Sequence, residues 1–343
     1  MDLNAANLFV KIYIDSLVFI FGLCIGSFLN VLALRLLSEE SLMTRSKCPK
    51  CSEKIVWYTN IPVLSYIFLG GKCKNCKKRI SIQYPLVELA TAILFLAVFL
   101  RSGFSLQSAF LMILISSLVV ITLTDIKEKV IFDITVTPLI LFGLIYNFFD
   151  MGNSASGTTS IPLQGIGTTL TLNSVFISAI IGAIGGAAFF EIFSRMGLLL
   201  LGEYAFGGGD TLIAAALGAY FGWKGMIVIL VLSFLFQLLI GVPVILNNMY
   251  KDNDYKSIVA MGILLLSVAV PYAGKLLGLT NDLTGALLTT FVSFGMAGYG
   301  IFVILKRTKE RQNFTFLPFG PALVFGGIVV MFWGQKIINH YFM

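Results

Sequence analysis

The sequence predicts an all-α polytopic membrane protein with about ten transmembrane segments and a small cytoplasmic zinc-binding loop. Composition carries the first part of that prediction: 57% of the residues are hydrophobic and only 12% are charged. A soluble domain carries roughly a quarter charged residues. Apolar runs approaching the ~20 residues that cross a bilayer then recur from end to end. The basic residues also gather in alternate loops, as they do where a chain is threaded through a membrane.

In chain order the segments are 8–34, 85–101, 107–124, 133–149, 174–200, 210–222, 225–246, 258–278, 283–305 and 316–339. The stretch "MDLNAANLFVKIY" before the first apolar run lacks the basic start and small-residue cleavage site of a secretory signal. That run is expected to stay as a span. The expected organisation is a first span over 1–37, a cytoplasmic loop over 38–84 and a membrane domain over 85–343.

Nine basic residues from Arg45 to Arg79 lie between the first two segments, against Glu39, Glu40 and Glu53. Counting alternate loops, the same side receives Lys127 and Lys129, then Lys251 and Lys256, then Lys306, Arg307, Lys309 and Arg311. The opposite side holds little beyond Lys11, Arg101, Lys224, Lys275 and Lys336. The basic side is assigned to the cytoplasm, and the Ser/Thr/Gly-rich loop at 150–173 falls outside. The net charge of +7 therefore reads as membrane topology, with no nucleic-acid partner expected.

Within the first basic loop, "CPKC" and "CKNC" are separated by 21 residues, 52–72. Two Cys-x2-Cys turns at this separation form the ligand pattern of a tetrahedral zinc site, because each two-residue gap lets two thiolates face one ion. Cys48, Cys51, Cys73 and Cys76 are the expected ligands. Two disulfides or four free thiols are the duller alternative, and a reducing cytoplasm disfavours disulfides. Four sulfur ligands leave no open position, so the ion would be structural. Cys24 lies in an apolar run and reads as a small packing residue.

Asp125, Asp133 and Asp210 fall at the cytoplasmic ends of their segments. Asp125 alone is equally well a solvated segment end. Asp210 differs, because Gly207, Gly208 and Gly209 strip the chain beside it of side chains. Glycine allows unusual backbone angles and close approach of another chain, here an extended substrate. Two carboxylates in a partly desolvated site do not both ionise easily, so one holds a proton while the other takes one from water. That is aspartic-peptidase chemistry. The only histidine, His340, lies at the opposite side, which disfavours a Ser/His or Cys/His mechanism. Glu191 and Arg195 read as an i,i+4 ion pair, Asp15 as solvated, and Glu88 as a helix-start acid.

At this point the residues resemble the type IV prepilin peptidases, bifunctional leader peptidase/N-methyltransferases of bacterial membranes. The resemblance runs through "GSFLNVLALRL", "CPKC", "NIPVLSYIFLGGKCKNCKKRIS", "YPLVELATA", "TDIKEKVIFD", "GGGD" and "LPFGPAL", in that order. It implies that Asp125 and Asp210 are the catalytic pair, Gly207 and Gly209 the glycines of Gly-x-Gly-Asp, and Asp133 a supporting acid. It also implies zinc on Cys48, Cys51, Cys73 and Cys76. The chain departs from the usual pattern at Ile131-Phe132-Asp133, where Ile/Leu-Pro-Asp is common. It departs again at Thr211-Leu212-Ile213, where Val-Lys-Leu is common. The stretch 258–305 reads as two spans beyond the usual eight.

The function implied is removal of the short basic leader of a prepilin or pseudopilin at the cytoplasmic face of the bacterial inner membrane. Methylation of the new N-terminus from S-adenosylmethionine would follow. There is no Rossmann-type glycine fingerprint for that donor. The expected surface for it combines the cysteine loop with the inner end of the first segment: Asn30, Arg35, Gly71, Lys72 and Glu88. An ion-coupled transporter with a regulatory zinc loop would need midplane acids and an internal repeat, and the sequence offers neither. A presenilin-like protease would share Gly-x-Gly-Asp but not the cysteine loop or "NIPVLSY".

Overall fold

A computed structural model describes residues 3–41, 44–48, 50–149, 158–162, 169–202, 204–251, 254–276 and 318–342, with scattered residues between 288 and 303. Its helices are α1 (Leu3–Ser38), α2 (Leu64–Phe68), α3 (Gln83–Ser102), α4 (Leu106–Glu128), α5 (Asp133–Phe148), α6 (Ser174–Leu201), α7 (Gly208–Lys251), α8 (Tyr255–Leu276) and α9 (Gly320–Phe342). Among the described residues one strand pair stands beside the helices: β1 (Thr158–Pro162) runs antiparallel to β2 (Thr169–Asn173) in the Ser/Thr-rich loop. Thr residues in both strands, alternating with Leu in β2, suit a short ribbon.

The apolar runs other than 283–305 fall on these helices, but the expected count of about ten spans is not reached among the described residues. Segments 210–222 and 225–246 are the two halves of α7, joined across a break at Gly222 (φ 67°, ψ −178°). Six helices among the described residues are long and apolar enough to cross a membrane: α1, α3, α4, α6, α7 and α9. Two shorter apolar helices cover Asp133–Phe148 and Tyr255–Ser267. Segment 283–305 and the basic run Lys306–Arg311 lie largely outside the described residues.

The chain divides into two compact units, the first comprising Met1–Ser194, Phe206–Ser233 and Pro318–Met343. The second comprises Arg195–Ala205 and Phe234–Leu317, where Asp254 caps α8 by accepting from the Ser257 amide and hydroxyl. All the predicted site residues belong to the first unit.

Small residues let the helices of the first unit approach closely, as packing in lipid favours. On α1, a side chain at Gly22 or Gly26 would run into the α3 backbone at Ala92 or Glu88. On α6, Gly182 and Gly186 meet Gly218 and Ala214 of α7 in the same i,i+4 manner. The core between them is apolar, with Leu114, Ile121, Phe190, Leu217 and Leu323 fully buried.

The break at Gly222 frees carbonyl groups at the end of the first half of α7. Asn147 on α5, buried, takes them up: its amide donates to Ala219 O at 2.7 Å and Tyr220 O at 3.0 Å. That fixes the length and end of the short helix whose other end begins beside Asp210. Because the helices alternate in direction, the end of α4, the starts of α7 and α9, and the cysteine loop share one end of this unit.

Candidate active site and metal loop

Asp125 lies in the last turn of α4 and Asp210 in the first turn of α7, both buried. The two carboxylates are close enough to act on each other electrostatically. Asp210 occupies the third position of its helix and reaches back: its Oδ2 accepts the Gly207 amide at 3.3 Å, while its own amide donates to Gly207 O at 3.1 Å. That is half of a capping box. Gly209 has a packing reason, because a side chain there would come within 2.5 Å of Ile131, just beyond α4. The motif glycine lets the two acid-bearing segments touch.

A third segment completes the site. At the start of α9, a Cβ on Gly320 would collide with Asp125 Oδ2. The N-terminus of α9 therefore abuts the first acid, with its positive dipole end toward a carboxylate. Ala322 and Leu323 already donate to Phe319 O, and Pro321 has no amide hydrogen, so Gly320 carries the one amide of that turn left to act on the acid. The "LPFGPAL" stretch carries part of the family resemblance, but no role for Gly320 follows from it. Its one local signal is a glycine directly before a helix-opening proline.

Aromatic packing holds these segments together. Phe190, Phe206 and Phe319 form a triangle with ring centroids 4.9, 5.3 and 5.6 Å apart. Phe206 immediately precedes Gly207, and Phe319 immediately precedes Gly320. Ser194 also donates to Phe206 O at 2.7 Å. Against this anchoring, Asp125 Oδ2, Asp210 Oδ1 and Thr211 Oγ1 are buried and have no hydrogen-bond partner. An unpartnered buried oxygen costs on the order of 1–3 kcal/mol, and Asn30 Oδ1 on α1 shares that state, so these oxygens are the ones open to a water or a ligand.

The other predicted acid does not join them. Asp133 is exposed, in the first turn of α5, where it complements that helix's dipole. His340 is exposed in the last turn of α9, 20 residues and so about 30 Å along that helix from Gly320.

In the loop, the sulfurs of Cys48, Cys51, Cys73 and Cys76 all lie within 4.8 Å of one another. Sulfurs about 2.3 Å from one zinc ion stand about 3.8 Å apart, so the four fit one tetrahedral ion. The two turns are built alike. Cys48 donates to Glu53 O and accepts from Ser52, as Cys73 donates to Lys78 O and accepts from Lys77. Ser52 (φ 56°) and Lys77 (φ 59°) are both left-handed, and isolated bridges Lys47–Lys54 and Lys72–Arg79 close the two turns. The amides of Cys76 and Asn75 pull the Cys73 thiol down to about 7. At Cys51 the Glu53 amide also pulls down, but desolvation and the crowding of the other three thiols prevail and push it up to about 11. A bound cation reverses that crowding by favouring thiolates.

The five residues expected to serve the methyl donor separate into two groups. Gly71 and exposed Lys72 belong to the second cysteine turn. Gly71 has φ 67°, and a Cβ there would stand 3.0 Å from the Tyr66 ring. Asn30, Arg35 and Glu88 are buried where α1, α3 and the loop meet. Asn30 donates to Tyr84 O at 3.3 Å and Arg35 to Thr44 O, while Glu88 Oε2 accepts the Val63 amide at 2.7 Å. Arg35 also borders a cavity of about 360 Å³ together with Ser27, Thr44, Ser46, Asn60 and Pro62.

Residues 20–102 match the bacterial peptidase A24 N-terminal domain, and residues 112–242 match the type IV leader peptidase family. A prepilin leader peptidase/N-methyltransferase of Pseudomonas aeruginosa is 28% identical over 344 positions, covering 93% of this chain and 90% of that protein. One of Aeromonas hydrophila is 33% identical, covering 69% of this chain and 83% of its own length. One of Myxococcus xanthus is 32% identical over 66% of this chain, a match that spans 62% of the relative. No solved structure matches. With two domain matches in order along one chain and relatives aligned over most of their length, this chain belongs to the type IV leader peptidase family, a family of aspartic peptidases.

Proposed function

We propose that the chain is a membrane endopeptidase that removes the short basic leader of a type IV prepilin or pseudopilin. The cleavage is at the cytoplasmic face of the bacterial inner membrane, and methylation of the new N-terminus follows. One observation carries the peptidase reading: the buried oxygens Asp125 Oδ2 and Asp210 Oδ1 lack partners while the rest of the site is anchored around them. In this reading one carboxyl group holds a proton and the other is ionised. The ionised acid takes a proton from water as the water oxygen bonds to the scissile carbonyl carbon. The other acid gives its proton to the carbonyl oxygen. Collapse then breaks the C–N bond: the acid that took water's proton gives it to the leaving amine, and the other acid takes back a proton from the gem-diol hydroxyl as the carbonyl re-forms. The open backbone of Gly207 and Gly208, where no atom stands within 3.8 Å of an added Cβ, suits an extended peptide laid beside the acids. The basic loops support the cytoplasmic assignment. An ion-coupled transporter is not favoured for a member of a peptidase family.

The names of the relatives support the second activity, and the cavity beside Arg35 fits a small molecule in size. S-adenosylmethionine bound there would supply an electrophilic methyl group. This chain would contribute the Arg35 cation toward a carboxylate and polar rim groups from Ser27, Thr44, Ser46 and Asn60. Zinc on Cys48, Cys51, Cys73 and Cys76 would join the two cysteine turns and take no part in either reaction.

The test is mass spectrometry of a co-expressed prepilin's N-terminus. The expected product lacks the leader and carries one added methyl group. An intact leader with folded, membrane-inserted protein defeats the peptidase reading, and a cleaved but unmethylated product leaves the peptidase alone. Supplying Asp125→Asn protein with pre-cleaved pilin separates the two steps, since methylation is expected to persist.

A further inference from the structure

The segment Trp57–Phe68 in the cysteine loop has features that a water-exposed loop does not need. Pro62–Val63–Leu64 is a γ-turn of the rare positive-φ kind: Val63 has φ 59° and ψ −50°, and the Leu64 amide donates to Pro62 O at 2.6 Å. This geometry is strained, more so for a β-branched residue, and persists only where the surroundings hold it. The holder is Glu88, buried, which accepts the Val63 amide.

The level of that contact is informative. α3 has 20 residues, about 30 Å, the thickness of a hydrocarbon core. Glu88 lies five residues beyond Gln83, so about 7.5 Å inside the loop end of the helix. Asn60 and Pro62 also share a cavity with Cys24 and Ser27 of α1. Ser27 is 11 residues, or about 16 Å, from the end of α1 at Ser38. The segment thus lies back along the two spans rather than beyond their ends.

Irregular backbone at membrane depth must have its polar groups satisfied by protein. Here the amides of Thr59, Asn60, Ile61, Val63, Leu64 and Ser65 each donate to a protein acceptor. Apart from Asn60 and the Tyr58 hydroxyl, the side chains turned outward are apolar. Leu64, Ile67 and Phe68 share one face of α2 and are 50%, 64% and 84% exposed, and Trp57 is 81% exposed. Beside them Lys74 donates to the Tyr58 hydroxyl at 2.8 Å, an aromatic and basic pair of the kind found at the headgroup level.

We propose that residues 57–68 form a re-entrant element seated in the inner leaflet, with Trp57, Leu64, Ile67 and Phe68 against lipid and Glu88 as its anchor. Lipid is favoured over a protein partner because the segment is fixed alongside two spans and its neighbours in the loop are basic, matching anionic headgroups. The cysteine loop would then be laid on the membrane rather than held free in the cytoplasm.

The chain has three tryptophans, so Trp223→Phe with Trp333→Phe leaves Trp57 as the sole reporter. Full-length protein is reconstituted in phosphatidylcholine/phosphatidylglycerol vesicles with chain-brominated lipid. The emission is expected to be blue-shifted, to fall by about half with bromine near the headgroup end of the chains, and to resist iodide. Water-like emission that iodide quenches and brominated lipid does not would overturn the proposal. Shielding that appears only on adding an apolar pilin-type helix peptide would also overturn it, marking a protein-docking surface instead. Glu88→Gln keeps an acceptor and should preserve the lipid quenching, whereas Glu88→Ala should open Trp57 to iodide. Should Glu88→Ala fail to insert, the single-tryptophan parent decides alone.

Discussion

The acid site and the cysteine loop sit at the same end of one unit, yet they are built on opposite plans. The loop is local. Each cysteine turn closes on itself within eight residues, through the same pair of backbone bonds and the same left-handed residue at Ser52 and Lys77. The acid site is assembled from α4, α7 and α9, whose contributions at Asp125, Asp210 and Gly320 are spread over nearly 200 residues of chain. Asp125 Oδ2 and Asp210 Oδ1 there are left without partners, whereas the backbone groups of the two cysteine turns are paired. A scaffold satisfies its polar groups internally; a reacting centre keeps some of them for what it binds.

The sharpest way to test that contrast is to remove the acids. Asp125→Asn and Asp210→Asn are each expected to lower leader cleavage by about 10³-fold or more, because the amide keeps the shape but moves no proton. Membrane insertion should be unchanged, as read by detergent-extracted yield and helical circular dichroism. Robust cleavage by either variant would show that the unpartnered oxygens are not the reacting groups.

Gly320→Ala comes next. The new methyl would collide with Asp125 Oδ2, and a carboxylate end yields more easily than helix backbone, so the acid should turn away while the fold stays. A misplacement on this scale costs about 10- to 100-fold in rate. Single-turnover cleavage of a leader peptide checks it. Near-normal cleavage would mean that the start of α9 packs beside the site without positioning it.

The same contrast explains what was legible in the sequence. The cysteine turns were readable because their ligands lie two residues apart, so spacing alone carried the geometry. The helices were readable because lipid demands long apolar runs; even the two halves of α7 appeared as separate segments on either side of Gly222. Asp210 stood out through its glycines. Gly320 and the Phe190–Phe206–Phe319 triangle did not, because their roles depend on contacts between distant segments that no local pattern records. The Ser/Thr-rich loop concealed its hairpin for another reason: five-residue strands give too short an alternation to separate from a turn. Asp133, expected as a supporting acid from its place in the motif, is exposed in the first turn of α5.

Removing the metal ligands should affect the loop and largely spare the acids. If the four thiols hold zinc as proposed, Cys48→Ser or Cys73→Ser is expected to lower it from about one per chain to near none, since each removes one of the four clustered sulfurs. Cleavage is expected to fall less than about tenfold, because α4, α7 and α9 bury their own backbone polar groups without the loop. Elemental analysis and cleavage assays on one preparation check both parts. Active wild-type protein without zinc would remove the ion from the scheme, and loss of cleavage equal to that of Asp125→Asn would join the two regions into one functional unit.

The smallest effect is expected at Asp133. Its carboxylate faces solvent in the first turn of α5, so its work is to complement the helix dipole, about 0.3–1 kcal/mol at an exposed site. Asp133→Asn keeps hydrogen-bonding capacity at that helix start and removes only the charge. Cleavage should therefore stay within about twofold of wild type, with thermal stability slightly lower at low salt and the difference fading as salt screens the dipole. Salt-dependent melting alongside a leader-cleavage time course measures both. A loss of cleavage approaching that of Asp210→Asn, at unchanged stability, would instead bring Asp133 into the reacting site and require α5 to turn its first residue inward when substrate binds.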